Sequence, residues 1–299
     1  MSTLSDNTPL PTPFHEGEVT IQKRLGVDEI SGRVGAKFIR TQMPEQHRDF
    51  FRQLPFLFIG GLDQDGHPWA SYLAGAPGFT TSPTDDHLHI KALPVSGDPL
   101  KDHLTSGAKI GMLGIELHTR RRNRLNGTIA TNENGVIDLQ VDQSFGNCPK
   151  YIQRRDVLIK TTTGRTDAPE THSKLNNDLQ SVIQNADVFF IASRSKEMDE
   201  RNSGVDMSHR GGEPGFIQVL DENSLIFPDY PGNRFFNTLG NIETDGRVGL
   251  LFLDFENSRT VQMAAHATIL WSDDDRSIHL DIKQVVVNEN ADLSAIDKT

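Results

Sequence analysis

The sequence predicts a mainly β fold with short helices, an α+β chain made of two tandem copies of one small barrel unit. Two observations carry this. The motif Ser-x-x-x-Gly-x-Pro-Gly-Phe runs from Ser71 to Phe79 and returns from Ser208 to Phe216, with five of nine positions identical. Around each copy the apolar segments are short, closely spaced and divided by Gly/Pro turns, which favours an antiparallel barrel over a parallel sheet. Pro-Gly is a common turn pair, so chance turn chemistry is the competing reading; it is the weaker one because the flanks repeat as well.

The elements follow in the same order in both copies. Pro44 suits a first helical turn, where its missing N–H costs nothing, and Phe50, Phe51 and Leu54 supply an apolar face. In the second copy Leu175, Leu179, Val182, Ile183 and Ala186 fall at helical spacing. Each helix leads into a strand, Phe56–Gly60 and Val188–Ser193. A turn at Asp63–Gly66 matches a longer polar loop at Lys196–Gly204. Leu88–Ile90 mirrors Ser224–Phe227, and Ile110–Leu113 mirrors Val248–Leu251. A short helix is expected before this last pair, and the alternating segments Arg124–Ile129 and Gln262–Ile269 close each unit. A unit is about ninety residues, one small domain. The chain thus divides into an N-terminal extension (1–40), a first unit (41–150), a linker (151–169), a second unit (170–275) and a C-terminal tail (276–299).

Composition excludes several function classes. A net charge of −11 opposes general nucleic-acid binding, which needs a concentrated basic face. The longest apolar runs, such as Val248–Leu253, are too short to span a bilayer, and no secretory signal opens the chain. One cysteine, Cys148, precludes an intrachain disulfide and fits a reducing, cytoplasmic compartment. There is no Gly-x-Ser-x-Gly elbow, no His-Glu-x-x-His and no Cys/His metal spacing, so no metal site is expected.

The second unit, S-H-R-G-G-E-P-G-F, then L-I-F-P-D-Y-P-G-N-R-F-F-N-T-L-G-N-I, then V-G-L-L-F, resembles the pyridoxamine 5′-phosphate oxidase-like proteins, the FMN-binding split β-barrels. The first unit, with A-P-G-F, G-D-P-L and R-R-R-N-R-L-N-G, resembles the N-terminal half of a two-unit branch of that family, as do F-H-E-G-E at Phe14 and F-G-N-C-P-K-Y-I-Q at Phe145. The resemblance spans about Phe14 to Trp271 and is most specific from Asp229 to Ile242. It implies two tandem split β-barrel units with FMN at their seam, a small-molecule substrate and a homodimer. An internal pseudo-dimer within one chain is equally open.

The resemblance places the cofactor against His209, Arg210, Gly211, Pro228, Asp229, Asn233, Arg234 and Thr238, with Arg122 reaching over from the first unit. The residues agree. Pro231-Gly232-Asn233 reads as a strand-to-helix turn with Arg234 in the first helical turn, and a helix N-terminus with an arginine suits a phosphate. The bland alternative makes Asn233 only an N-cap and Arg234 a solvated side chain. In the first unit the matching Gly97-Asp98-Pro99 puts an acid where the phosphate would sit, so that site reads as degenerate. On an alternating strand Arg120, Arg122 and Arg124 share a face, which awaits either an anion or pairing with the chain's acids. Arg120, Arg124, Cys148 and Lys150 are candidates to line a substrate site. Where relatives end on an apolar-x-Gly-x-Ala strand this chain has Ala264-Ala265-His266-Ala267, so tail contacts of relatives are not carried over.

The function so implied is an FMN-dependent oxidoreductase acting on a small, anionic or neutral substrate, the flavin doing the redox chemistry while the protein orients it. The alternatives are a flavin-, haem- or F420-binding protein without turnover, since fold does not settle function, and an interaction protein whose seam has decayed. A lone cysteine is more often an inert small hydrophobe than a nucleophile.

Overall fold

The computed structural model describes residues 12–159, 168–255, 257–272, 275–289 and 293–296. Three helices come first, α1 (Glu16–Arg24), α2 (Asp28–Phe38) and α3 (Glu45–Gln53). His15 caps α1: its Nδ1 accepts from the Gly17 N–H, and Glu18 accepts from the His15 N–H. The first two helices occupy the segment that the sequence left as an extension. No helix among the described residues is long and apolar enough to cross a membrane.

The first barrel comprises β1 (Phe56–Leu62), β2 (Pro68–Ala74), β3 (Thr80–Thr81), β4 (His87–Ile90), β5 (Lys109–Glu116), β6 (Arg121–Glu133) and β7 (Val136–Gly146). After β8 (Asp156–Ile159) and β9 (Glu170–His172), α4 (Asn177–Asn185) opens the second. That barrel comprises β10 (Val188–Arg194), β11 (Val205–Gly211), β12 (Gln218–Val219), β13 (Ser224–Pro228), α5 (Asn237–Thr244), β14 (Arg247–Asp254), β15 (Arg259–Trp271) and β16 (Arg276–Asn288). The first sheet runs β2-β1-β5-β6-β7-β4-β3 and the second β11-β10-β14-β15-β16-β13-β12, every neighbour antiparallel. Each label of the second order is the first plus nine. Both sheets are therefore the same mainly antiparallel split-barrel unit, as the repeated motif predicts. β17 (Leu293–Ile296) pairs with β8.

Three expectations change. Residues 276–288, read as tail, form β16, which lies between β15 and β13 and supplies Ile278, Leu280 and Val285 to the core. Its apolar residues alternate only up to a bulge opposite Ala264/Ala265, and this break weakened the strand pattern. The short helix expected in the first unit is instead a run of turns around 97–104, closed by the Asp98 carboxylate accepting from the Leu100 N–H. In the second unit the helix starts later than expected. Arg234 and Phe236 hold left-handed φ of 65° and 63°, so α5 begins only at Asn237 and Arg234 precedes it. Parts of the extension (1–11), linker (160–167) and tail (290–292, 297–299) lie outside the described residues.

Each barrel buries its own core. Leu57, Ile59, Met112, Leu125 and Leu139 fill the first; in the second, the Phe189 ring packs against Phe227 and Phe252 at 5.0 and 5.3 Å. A third cluster lies between the sheets. There Phe58 and Phe190, each the third residue of its strand (β1 and β10), stack at 3.5 Å and 17° on the pseudo-dyad. Full burial of such a ring is worth about 1.5–3 kcal/mol. The repeated glycines Gly111 and Gly249 let the backbones meet: a Cβ at Gly111 would lie 2.6 Å from the Val205 carbonyl oxygen, and one at Gly249 2.5 Å from that of Pro68.

Candidate functional site

A cleft open to solvent lies where β6 of the first barrel faces β11 and the loop into α5 of the second. Strand β6 sends Arg122 and Arg124 into it, the segment after β7 sends Asn147 and Cys148, and β11 sends Ser208, His209 and Arg210. The loop from Asp229 to Arg234 and the start of α5, with Thr238, complete the wall.

Arg124 ties the halves together. It is 5% exposed, and donates to Asp206 Oδ2 and to Ser208 Oγ across the seam. Asp206 also accepts from Asn126 Nδ2 at 3.0 Å, and Thr238 donates to Ser208 at 3.0 Å. Buried charges held this way need their partners. Arg122 differs: its Nε donates only to the Cys148 carbonyl at 2.8 Å. Burial, with Arg124 and Arg210 close by, pulls its guanidinium down to about 10. Burial also lowers Arg210, against the pull of Asp229. Asp229 itself is bonded by Arg276 at 3.0 Å.

His209 is 5% exposed and neither ring nitrogen has a hydrogen-bond partner. Burial first, then Arg122, Arg210 and Arg155, holds its pKa well below the ordinary imidazole value, so the ring is neutral at physiological pH. Arg124 Nε and Arg210 Nε are buried without partners too. Unmet buried polar atoms cost about 1–3 kcal/mol each, and their concentration on one cleft wall marks a place where a ligand or water completes the bonding. The outer lip joins both barrels. Asn233 Nδ2 meets Asn147 Oδ1 at 3.4 Å, and Tyr151 stacks on Tyr230 at 5.1 Å.

Of the residues singled out in the sequence, the cleft brings together Arg122, Arg124, Cys148, His209, Arg210, Asp229, Asn233, Arg234 and Thr238. It does not include Arg120, Gly211, Pro228 or Lys150. Arg120 has a left-handed φ of 61° just before β6, so strand alternation starts too late to aim it inward. Lys150 is exposed beyond the seam. Gly211 instead admits the Tyr151 carbonyl, which would lie 2.1 Å from a Cβ there, and Pro228 ends β13 opposite Ser277. Sequence reasoning missed Ser208, Asp206 and Asn237. Ser208 was within reach, as the first residue of the repeated motif.

The pseudo-equivalent place on the other seam is filled. Gln262 holds in β15 the position that Arg124 holds in β6, each the fourth residue of its strand. Ser71 corresponds to Ser208 in the repeated motif. There the carboxylate of Asp98, 6% exposed, accepts from Ser71 at 2.5 Å and from Gln262 at 2.9 Å, and Asn288 braces Gln262 at 3.3 Å. The acid expected at this spot in the first unit thus bonds to protein groups from both barrels.

Residues 175–291 match the family model for pyridoxamine 5′-phosphate oxidase. Similar solved structures include a putative pyridoxamine 5′-phosphate oxidase from Lactobacillus delbrueckii, 17% identical, covering 38% of this chain and 94% of that one with a TM-score of 0.31. HupZ of Group A Streptococcus is 11% identical over 41% of this chain and 99% of its own, TM-score 0.31. The FAD binding protein from Mycobacterium smegmatis is 7% identical over 42% and 100%, TM-score 0.27. No curated protein matches the chain in sequence.

Proposed function

We propose that the chain, whose residues 175–291 match the family model for pyridoxamine 5′-phosphate oxidase, holds FMN in the cleft and is an FMN-dependent oxidoreductase acting on a small molecule. One observation carries the reading. Arg122, Arg210 and Arg234 line one cleft, and none of them forms an ion pair among the described residues. In a chain of net charge −11, unpaired arginines beside orphaned buried donors fit an anionic, acceptor-rich ligand.

The donor set suits FMN at both ends. Arg234, with the Asn233 amide, would take the phosphate, while Thr238 spends its hydroxyl proton on Ser208. Arg122, Arg210 and the neutral His209 offer hydrogen bonds to ring nitrogens and carbonyls. Bound there, FMN supplies hydride or electron transfer, and the protein supplies orientation and a positive field. His209 stays neutral, so it hydrogen-bonds without adding charge.

The test is a titration of purified protein with FMN, followed by flavin absorbance and fluorescence quenching. Saturable binding that Arg234→Ala and Arg122→Gln weaken supports the site. Turnover of NAD(P)H with an acceptor then separates an oxidoreductase from a carrier. Failure of the wild-type protein to take up FMN would sink the reading.

A further inference from the structure

We infer that the N-terminal helix pair α1–α2, which lies outside the matched segment 175–291, is the positioning element of the anion-binding loop; the ligand arm of the test below rests on the FMN reading. The loop from Asn233 to Asn237 is held in an unfavourable shape. Two of its residues, Arg234 and Phe236, sit in left-handed backbone conformations without being glycine. Non-glycine residues hold such conformations only where surrounding contacts impose them.

The contacts come from the helix pair. Ser31 of α2 donates its hydroxyl to the Arg234 carbonyl at 3.0 Å. Gln22 of α1, 1% exposed, donates to the Phe235 carbonyl at 3.2 Å. Glu18 of α1 accepts from the Asn237 side chain at the first position of α5. Phe14, just ahead of α1, packs its ring 5.3 Å from that of Phe235. Three of the four residues from 234 to 237 are thus held by four side chains of the N-terminal segment: Arg234 by Ser31, Phe235 by Gln22 and Phe14, and Asn237 by Glu18.

The grip requires α1 to lie almost on the backbone of α5. A Cβ on Gly17 would fall 2.0 Å from the Gly240 carbonyl oxygen, and one on Gly240 would fall 2.5 Å from the Glu18 nitrogen. Glycine on both helices is what brings Glu18 and Gln22 within reach. Ser31 faces inward while Arg33 and Lys37 of the same helix face solvent, so α2 contributes a hydroxyl rather than charge. Gln22 and Ser31 are accordingly positioning residues: they touch the backbone that sets Arg234, not the ligand.

Hydrogen exchange on the ligand-free, full-length protein tests this directly, comparing wild type with Ser31→Ala, Gln22→Ala and the double variant. The expected result is exchange at Phe235, Phe236 and Asn237 roughly fivefold faster for each lost bond, with the strands of the second barrel unchanged and Ser31→Thr like wild type. Unaltered loop exchange overturns the inference. So does acceleration spread evenly over the second barrel, which marks a general stabilising role. In parallel, the FMN dissociation constant is expected to rise by a similar factor, about fivefold per variant. Wild type that binds no FMN refutes the cofactor reading and leaves the exchange data to decide on the helices. Binding lost in Arg234→Ala but intact in the double variant refutes the helices' role alone.

Discussion

Replacing Asp206 with alanine should lower stability and raise anion affinity together. Asp206 is 4% exposed and accepts from Arg124 Nη1, itself on a side chain 5% exposed, and from Asn126. Removing the carboxylate leaves a buried guanidinium beside Arg122 and Arg210 with only Ser208 as partner. Loss of one member of a buried pair costs about 3–5 kcal/mol. The same change frees a fourth arginine at the cleft wall, so an anionic ligand gains a cation that Asp206 neutralises in the wild type. Equilibrium unfolding in urea, read by circular dichroism and tryptophan fluorescence together, gives the first effect; ligand titration gives the second. Ligand at a hundred times its dissociation constant should return about 2.7 kcal/mol. Arg124→Met with Asp206→Leu, which removes both charges, should lie much nearer wild type than Asp206→Ala. An Asp206→Ala protein within about 1 kcal/mol of wild type would refute the argument that this pair is what balances Arg124.

Arg122→Gln should cost about 1.5–3 kcal/mol of FMN affinity. In the wild type that affinity should decline as pH rises through about 10, where Arg122 loses its proton, and the decline should be absent in the variant. Asp98 has its pKa raised by burial, so the folded state holds its proton to higher pH than the unfolded chain, and stability drains away as pH climbs from about 4. Thermal midpoints of Asp98→Asn relative to wild type should therefore improve as pH rises above about 4; a constant difference would contradict the assignment. Gly240→Ala should destabilise by about 1–3 kcal/mol through overpacking against α1, measured by denaturant unfolding.

The fold was legible because its two layers of signal agree. The repeat from Ser71 to Phe79 and from Ser208 to Phe216 marks equivalent strand ends, and alternating apolar residues mark most strands. β16 was not legible: its alternation breaks at the bulge opposite Ala264/Ala265, and Ser277, His279 and Asp281 give it a polar look while Ile278 and Leu280 are buried. At the site, Arg122 and Arg234 could be singled out because the segments R-R-R-N-R-L-N-G and P-G-N-R-F-F-N resemble the family; the residue types alone left Arg234 open to being a solvated side chain. Arg120 could not be told from Arg122, since strand alternation does not say where the strand begins. Asp206 was invisible because its role is set by Arg124, a residue of the other barrel. Gln22 and Ser31 were equally so, because a side chain that serves a distant backbone carbonyl leaves no local pattern.

The closed seam at Asp98 has a consequence for how this chain can change. Where two identical subunits meet about a two-fold axis, every residue is present twice, and any substitution alters both clefts at once. Here the axis is only approximate, and each side is written by its own codons. Arg124 can tie the barrels through Asp206 while its counterpart Gln262 bonds Asp98, and Ser71 can hold an acid while Ser208 takes an arginine. One seam is closed by protein groups and the other is open to solvent. The two seams are joined through the Phe58–Phe190 stack and the strands beside it, so a change on the closed side has a packed path to the cleft.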